Sequence, residues 1–136
     1  QTPKFSHISP VLKSLHWLKI EQRIHYKLIS ITYKTLQSNQ PFYLYKLLNV
    51  QSNSITRSSD IVTLQRPSVR SRLKLTDRSF THHAPLLWNN LPKQLRQPTP
   101  RHSHISLSES TPLLALSSSQ FHSKLKTFLF DKSFPP

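Results

Sequence analysis

The chain has 136 residues, enough for one domain or part of one and too few for a second full domain. Its 19 lysines and arginines outnumber five acidic residues, and the net charge of +14 favours a polyanionic partner, chiefly nucleic acid, over a merely solvated basic surface. The sequence has no cysteine and no glycine, which excludes disulfides, thiolate nucleophiles, zinc knuckles and glycine-rich phosphate loops.

Two further features of the sequence bear on whether it is a fragment and on its location in the cell. It begins at Gln1 and contains no methionine, which indicates a fragment of a longer protein. It has no signal peptide and no apolar run near the roughly 18 residues that span a bilayer. We therefore expect an intracellular location, cytoplasmic or nuclear, and no membrane partner.

Two helices are predicted in the first 40 residues. Ser9 fits an N-cap and Pro10 the first position of a short helix. Residues 20–36 carry two adjacent apolar stripes, so this helix is apolar over more than half its circumference. Such a face predicts a position in the middle of a helical bundle or against another part of a larger protein, with Arg23, Lys27 and Lys34 on the solvent side.

A third helix and an extended basic segment follow. Pro41 is placed to open a helix through Leu48, and Asn49 can replace a C-cap glycine. From residue 61 to 75 the pattern alternates, which predicts a strand with one cationic face, formed by Arg70, Arg72 and Lys74. Strand geometry spaces these cations by roughly 6.6 Å, close to the separation of phosphates in an extended nucleic acid. An edge strand whose cations only block aggregation is the equal alternative.

The main hydrophobic anchor is predicted in residues 78–96. One helical face is formed by Phe80, Ala84, Leu87, Trp88 and Leu91. Pro85 fits the first turn of a helix that begins near Ala84 and ends near Asn90, with a further turn over residues 92–96. Trp88 is predicted to lie in the core.

The chain divides into three predicted parts. Residues 1–96 form a helical region that contains the basic extended segment 61–78. Residues 97–118 form a linker rich in serine and proline, and residues 119–136 form a C-terminal helix and tail.

No catalytic or metal site is suggested. The five acidic residues are scattered, with no pair three or four residues apart, so a two-carboxylate or metal-carboxylate site is not expected. The histidine pairs His82-His83 and His102/His104 have no nearby carboxylate or cysteine in support of a metal site. We expect no enzyme activity, no cofactor and no small-molecule substrate.

Four segments carry a resemblance to a known family. They are HISPVLKSLHWLKIEQRIHYKLISITYKTL at 7–36, PFYLYKLL at 41–48, RSRLKLTDRSFTHHAPLLWNNLPKQLR at 70–96 and SSSQFHSKLKTFLF at 117–130. In this order they resemble the C-terminal end of reverse transcriptases from LINE-type non-LTR retrotransposons, of the jockey-like and chicken-repeat-like kinds.

This resemblance implies a position after the palm and thumb of the polymerase, with the catalytic aspartates upstream. None of the matched motifs is catalytic, so the chain is expected to be a fragment that cannot copy RNA and helps to hold template RNA or target DNA. Lys19 stands where proline is common in the family, which leaves it open whether the first two helices are separate or continuous. For Trp17, core packing is favoured over base stacking.

We therefore predict a mainly α-helical fold of four or five short helices with one extended basic segment, incomplete as an isolated domain. The predicted function is binding of RNA or DNA backbone without sequence specificity. The predicted contacts to phosphate come from Arg66, Arg70, Arg72, Lys74 and Arg78, with Arg23 and Lys27 as additions. The alternatives are a docking module that packs on the upstream polymerase domains, with incidental charge, and a nonfunctional relic of a retrotransposon.

Overall fold

The computed structural model describes residues 7–51, 61–68, 76–99 and 112–136. In these residues the fold is mainly α-helical, which confirms the predicted class. The helices are α1 (Ser9–Ser14), α2 (Ile20–Ser38), α3 (Phe42–Tyr45), α4 (Phe80–Asn89) and α5 (Ser118–Ser133). Helix α2 contacts α3, α4 and α5, so the helix with the widest predicted apolar face lies at the centre. Across the described ranges, none of the helices combines the length and apolar character needed to cross a membrane.

Three stacked aromatic rings join the main helices. The Tyr33 ring on α2 stacks on Phe121 of α5 with 4.0 Å between centroids, and Phe121 lies 6.0 Å from the Trp88 ring of α4. Trp88 is 0% exposed, and its Nε1–H donates a hydrogen bond of 3.0 Å to the Val62 carbonyl. The prediction that Trp88 lies in the core is confirmed.

Helix α4 begins one turn earlier than predicted. Ser79 is extended and its carbonyl accepts hydrogen bonds from the amides of His82 and His83, so the first turn forms ahead of the proline. Pro85 consequently lies inside the helix, not in its first turn. Because proline has no N–H, the Thr81 carbonyl loses its usual helical donor, and burial of the Pro85 ring offsets this loss.

The first two helices are separate. His16 adopts a left-handed conformation with φ 54°, and the Trp17 amide turns back to donate to the Leu12 carbonyl at 2.8 Å. Lys19 is extended at the N-cap of α2, so the break forms without a proline at this position. Ser9 is the first residue of α1 and not its cap, since the N-cap position is held by Ile8.

Helix α3 is shorter than predicted and is a single turn. The residue that replaces a C-cap glycine is Asn39, which ends α2 with φ 55°. Its backbone N–H donates to the Thr35 carbonyl. The prediction that Asn49 serves as a left-handed cap is wrong, because the positive φ angles of the described residues belong to His16 and Asn39.

Two side-chain amides hold extended segments onto the helices. The Asn89 amide accepts from the Leu64 N–H at 3.0 Å and donates to the Leu64 carbonyl at 2.8 Å. Gln37 makes the same pair of bonds to Leu114, at 3.1 and 3.2 Å. We call these contacts the amide pairings. They satisfy buried backbone groups that a neighbouring strand would otherwise satisfy.

Only isolated bridges replace the predicted strand in the described residues. Leu64 bridges Val50, and Leu114 bridges Pro98. Residues 69–75, which include Arg70, Arg72 and Lys74, lie outside the described residues. The described ends of the predicted linker 97–118 pack on α2 through buried Leu114, and the division of the chain into three parts stays a prediction.

Burial of a histidine predicts a dependence of stability on pH. Burial lowers the pKa of His25 below 6.5, Lys132 and His83 act in the same direction, and Glu21 opposes them. The unfolded chain therefore binds a proton more readily than the folded chain, and the free energy of unfolding should fall as pH falls through about 6.5. Urea unfolding between about pH 8 and pH 5 measures this loss. H25Q should reduce the loss and H7Q, at an exposed site, should not; an identical pH profile for H25Q and wild type would refute the assignment.

Candidate nucleic-acid interface

Two grooves follow the line along which α2 and α5 pack, which we call the α2–α5 seam. The aromatic groove has a volume of about 560 Å³ and is lined by His16, Trp17, Leu18, Arg23, Tyr26, Lys126, Thr127 and Phe130. The polar groove has a volume of about 630 Å³, and its lining includes Lys27, Ser30, Lys34, Gln37, Ser118 and His122. The two helices run antiparallel, since the start of α2 meets the end of α5.

The α2–α5 seam is positively charged because cations repeat along one stripe of α2. Arg23, Lys27 and Lys34 are spaced by four and seven residues, which places them on one side of the helix. From Ser118 to Phe130 the α5 side of the seam is about 18 Å long at the helical rise of about 1.5 Å per residue. This is room for about three phosphates of an extended strand.

Cations and rings are paired in the aromatic groove. The Arg23 guanidinium lies 5.3 Å from the centre of the Trp17 ring, and its Nε–H donates to the Leu18 carbonyl at 2.8 Å. Lys126 Nζ lies 5.9 Å from the centre of the Tyr26 ring. Each such contact stabilises an exposed pair by about 0.5–1 kcal/mol and fixes the position of the positive charge. Among the described residues that line this groove none is acidic.

Trp17 does not pack in the core. Its side chain is 55% exposed, whereas Trp88 is 0% exposed. The sequence favoured core packing for both tryptophans, and for Trp17 this expectation is wrong. The cause is the turn after α1, which carries Trp17 to the rim of the groove and leaves Leu18 to pack against the core.

A hydrogen-bonded pair separates the two grooves. Tyr26 Oη lies 3.2 Å from His122 Nδ1, and Ser30 Oγ lies 3.4 Å from the same nitrogen. The His122 ring also lies beside the core ring of Phe121. The seam is thus in direct contact with the buried core of the fold, which helps to fix the positions of its side chains.

The predicted phosphate-binding residues fall in three places. Arg23 and Lys27 lie together on the seam. Arg66 is paired with Asp77 at 3.2 Å, and Arg78 is exposed beside it. Arg70, Arg72 and Lys74 lie outside the described residues.

One further cation, Arg96, is buried. Arg96 is 7% exposed, and its Nε–H donates to the Leu91 carbonyl at 3.0 Å. Burial lowers the pKa of Arg96, but the group stays protonated because the guanidinium is the strongest base among the side chains. Arg96 therefore contributes charge to the core and not to the seam.

The sequence placed Lys34 on the solvent face of α2 with Arg23 and Lys27 but did not include it, or Lys126, among the phosphate-binding residues. The repeat along α2 was a usable signal for Lys34, since it shares the stripe of Arg23 and Lys27. No local pattern could identify Lys126, because it meets Tyr26 only through the packing of α5 on α2.

The described residues hold no group of three histidine, cysteine or acidic side chains placed to bind a metal ion. His82 instead has its Nδ1 2.9 Å from Ser79 Oγ. His102 and His104 lie outside the described residues.

Comparison with protein-family models, curated proteins and solved structures finds no match to this chain.

Proposed function

We propose that the chain is a noncatalytic segment of a retrotransposon reverse transcriptase that binds the backbone of template RNA or target DNA without sequence specificity. The observation that carries the binding part of the proposal is the α2–α5 seam, where four cations, Arg23, Lys27, Lys34 and Lys126, line adjacent grooves. The retrotransposon origin rests on the sequence motifs alone. Upstream polymerase domains would supply the catalytic aspartates.

The chemistry supports a polyanion over a neutral partner. With a net charge of +14, the cationic side chains of the free protein repel one another. When these side chains bind phosphates, the counterions condensed on the nucleic acid are released. Contacts of this kind position a strand and carry no base information. Within the described residues the seam is a cationic region that such a strand could follow, and the sequence of residues 66–78 supplies further cations.

Salt dependence tests the proposal. Fluorescence anisotropy of the 136-residue chain with a labelled single-stranded RNA and a duplex DNA, between about 50 and 200 mM salt, should show a loss of affinity of several orders of magnitude. The triple variant R23A/K27A/K126A should lower the slope of log affinity against log salt by about one unit per lost contact. The triple variant R70A/R72A/K74A tests the segment outside the described residues in the same way.

A matched control removes the same charge elsewhere. Lys46, Lys93 and Lys124 line neither groove of the seam, and the variant K46A/K93A/K124A also loses three charges. If this variant lowers the slope as much as the seam variant, the contacts are not localised at the seam. A flat response to salt in the unaltered chain would reject nucleic-acid binding itself.

A second function, docking on the polymerase body, is favoured by apolar residues left exposed. At the start of α2, Ile20 is 76% and Ile24 is 54% exposed, and Ile8 and Leu15 of the α1 region are exposed near them in the chain. This function predicts that the isolated chain aggregates and that cation substitutions hardly matter. A sharp, cooperative melt of a free monomer would count against it.

A further inference from the structure

We infer that the aromatic groove binds an unstacked base, so that the nucleic acid this chain takes is a single strand and not a duplex. The inference rests on the proposed function and deepens it, because it names the form of nucleic acid and the residue that meets the base. It assigns Trp17 as the stacking platform.

The exposed Trp17 ring is the first observation in favour of a base site. Arg23 lies over one face of the ring, 5.3 Å from its centre, yet 55% of the side chain is exposed. More than half of the Trp17 surface, at the lining of the groove, is therefore accessible to a second planar group. A large aromatic side chain exposed at the rim of a groove is costly in water, and a base that covers it recovers that free energy.

The surroundings of Trp17 select a base within a charged strand. His16 stacks on Phe130 with 5.7 Å between centroids, so the groove offers further apolar ring surface. Lys19, at the same corner, lies 5.1 Å from the centre of the Phe134 ring. An occupant must then have both a flat apolar face and negative charge nearby, which describes a nucleotide. A volume of about 560 Å³ lies within the range of about 300–1,000 Å³ typical of small-molecule sites.

The positions of the seam cations are the second observation, because they fit the phosphate backbone of a single strand. A base on Trp17 places the adjoining phosphates beside Arg23 and Lys126, and the strand can continue past the Tyr26–His122 pair to Lys27 and Lys34. In a duplex the bases are paired and stacked, so a base reaches Trp17 only after it is unstacked, which costs free energy. A single strand avoids this cost.

Two oligonucleotides of equal charge separate the base from the backbone. The probes are a labelled deoxythymidine strand of about twelve nucleotides and a strand of the same length without bases. At one salt concentration the unaltered chain should bind the strand with bases about 5- to 150-fold more tightly, the effect of one stacked base. W17A should remove this difference and W17F should retain part of it.

Phe42 offers a matched control. It is 58% exposed and carries Lys46 at 4.6 Å from its ring centre, but it lies outside the groove. F42A should therefore keep the difference between the two strands. As a second readout, the strand with bases should quench Trp17 fluorescence in the unaltered chain, and W17F should lack the quenched component.

The outcomes distinguish the two proposals. Equal affinity for both strands with a steep dependence on salt would overturn the base site and leave backbone binding in place. No salt-dependent binding of either strand would overturn both. Equal effects of W17A and F42A, or tighter binding of a duplex of the same sequence, would also overturn the base site.

Discussion

Replacement of Trp88 by alanine is expected to lower the free energy of unfolding by about 3–5 kcal/mol, the usual cost of deleting a fully buried large aromatic ring. Trp88 is 0% exposed, stacks beside Phe121 and donates to the Val62 carbonyl. Because small domains are stable by only about 5–15 kcal/mol, W88A should be marginally folded or unfolded. Urea unfolding followed by far-UV circular dichroism measures the loss.

The second tryptophan provides the control for this prediction. Trp17 is the same residue type at an exposed site, so W17A should lower the free energy of unfolding by no more than about 1 kcal/mol, the contribution of its contact with Arg23. W88F keeps most of the ring but leaves the Val62 carbonyl without its donor, which should cost about 1–3 kcal/mol. Equal losses for W17A and W88A would contradict the assignment of one tryptophan to the core and the other to the groove.

Loss of the Asn89 amide pairing is expected to have the next largest effect. N89A removes both partners of the Leu64 backbone, and each buried group left unpaired costs about 1–3 kcal/mol. N89D keeps the acceptor for the Leu64 N–H but turns the donor into an oxygen that faces the Leu64 carbonyl. We expect a loss of about 2–5 kcal/mol for N89A and a loss of similar size for N89D. The measurement is again urea unfolding.

Asn90 is the matched control for Asn89. It is the next residue in the chain, it is exposed, and its amide side chain makes no hydrogen bond within the described residues. N90A should lie within about 0.5 kcal/mol of the unaltered chain. If N90A and N89A were equally destabilised, the effect would come from the end of α4 and not from the pairing with Leu64.

The helices could be predicted because their apolar residues repeat with the helical period. The breadth of the apolar face of residues 20–36 led to the central position of α2, and the repeat that contains Trp88 led to the core. The ends of the helices were less accessible, since they depend on single backbone contacts. At α4, two hydrogen bonds to the Ser79 carbonyl place the start ahead of Pro85, against the usual preference for proline in the first turn.

The site was only partly predictable, for a related reason. Arg23 and Lys27 could be named from the charge pattern of α2, but the groove exists because α5, roughly 100 residues later in the chain, packs beside them. Exposure of Trp17 could not be read from composition, because an aromatic residue after a short helix suits a core as well as a rim. The amide pairings could not be predicted, because Gln37 and Asn89 interrupt no hydrophobic pattern and their partners lie far away in the chain.

The ring stack between α2, α4 and α5 determines when the core can form during synthesis of the chain. Tyr33 and Trp88 leave the ribosome before Phe121, the ring that lies between them. Until Phe121 emerges, the two earlier helices can meet only around an unfilled space, and Leu114 cannot reach Gln37. Since domains fold as units during translation, the nascent chain gains its core only when α5 is made. A ribosome paused before α5 would therefore hold a chain in which the Tyr33 and Trp88 rings lack the Phe121 ring that covers them in the complete fold.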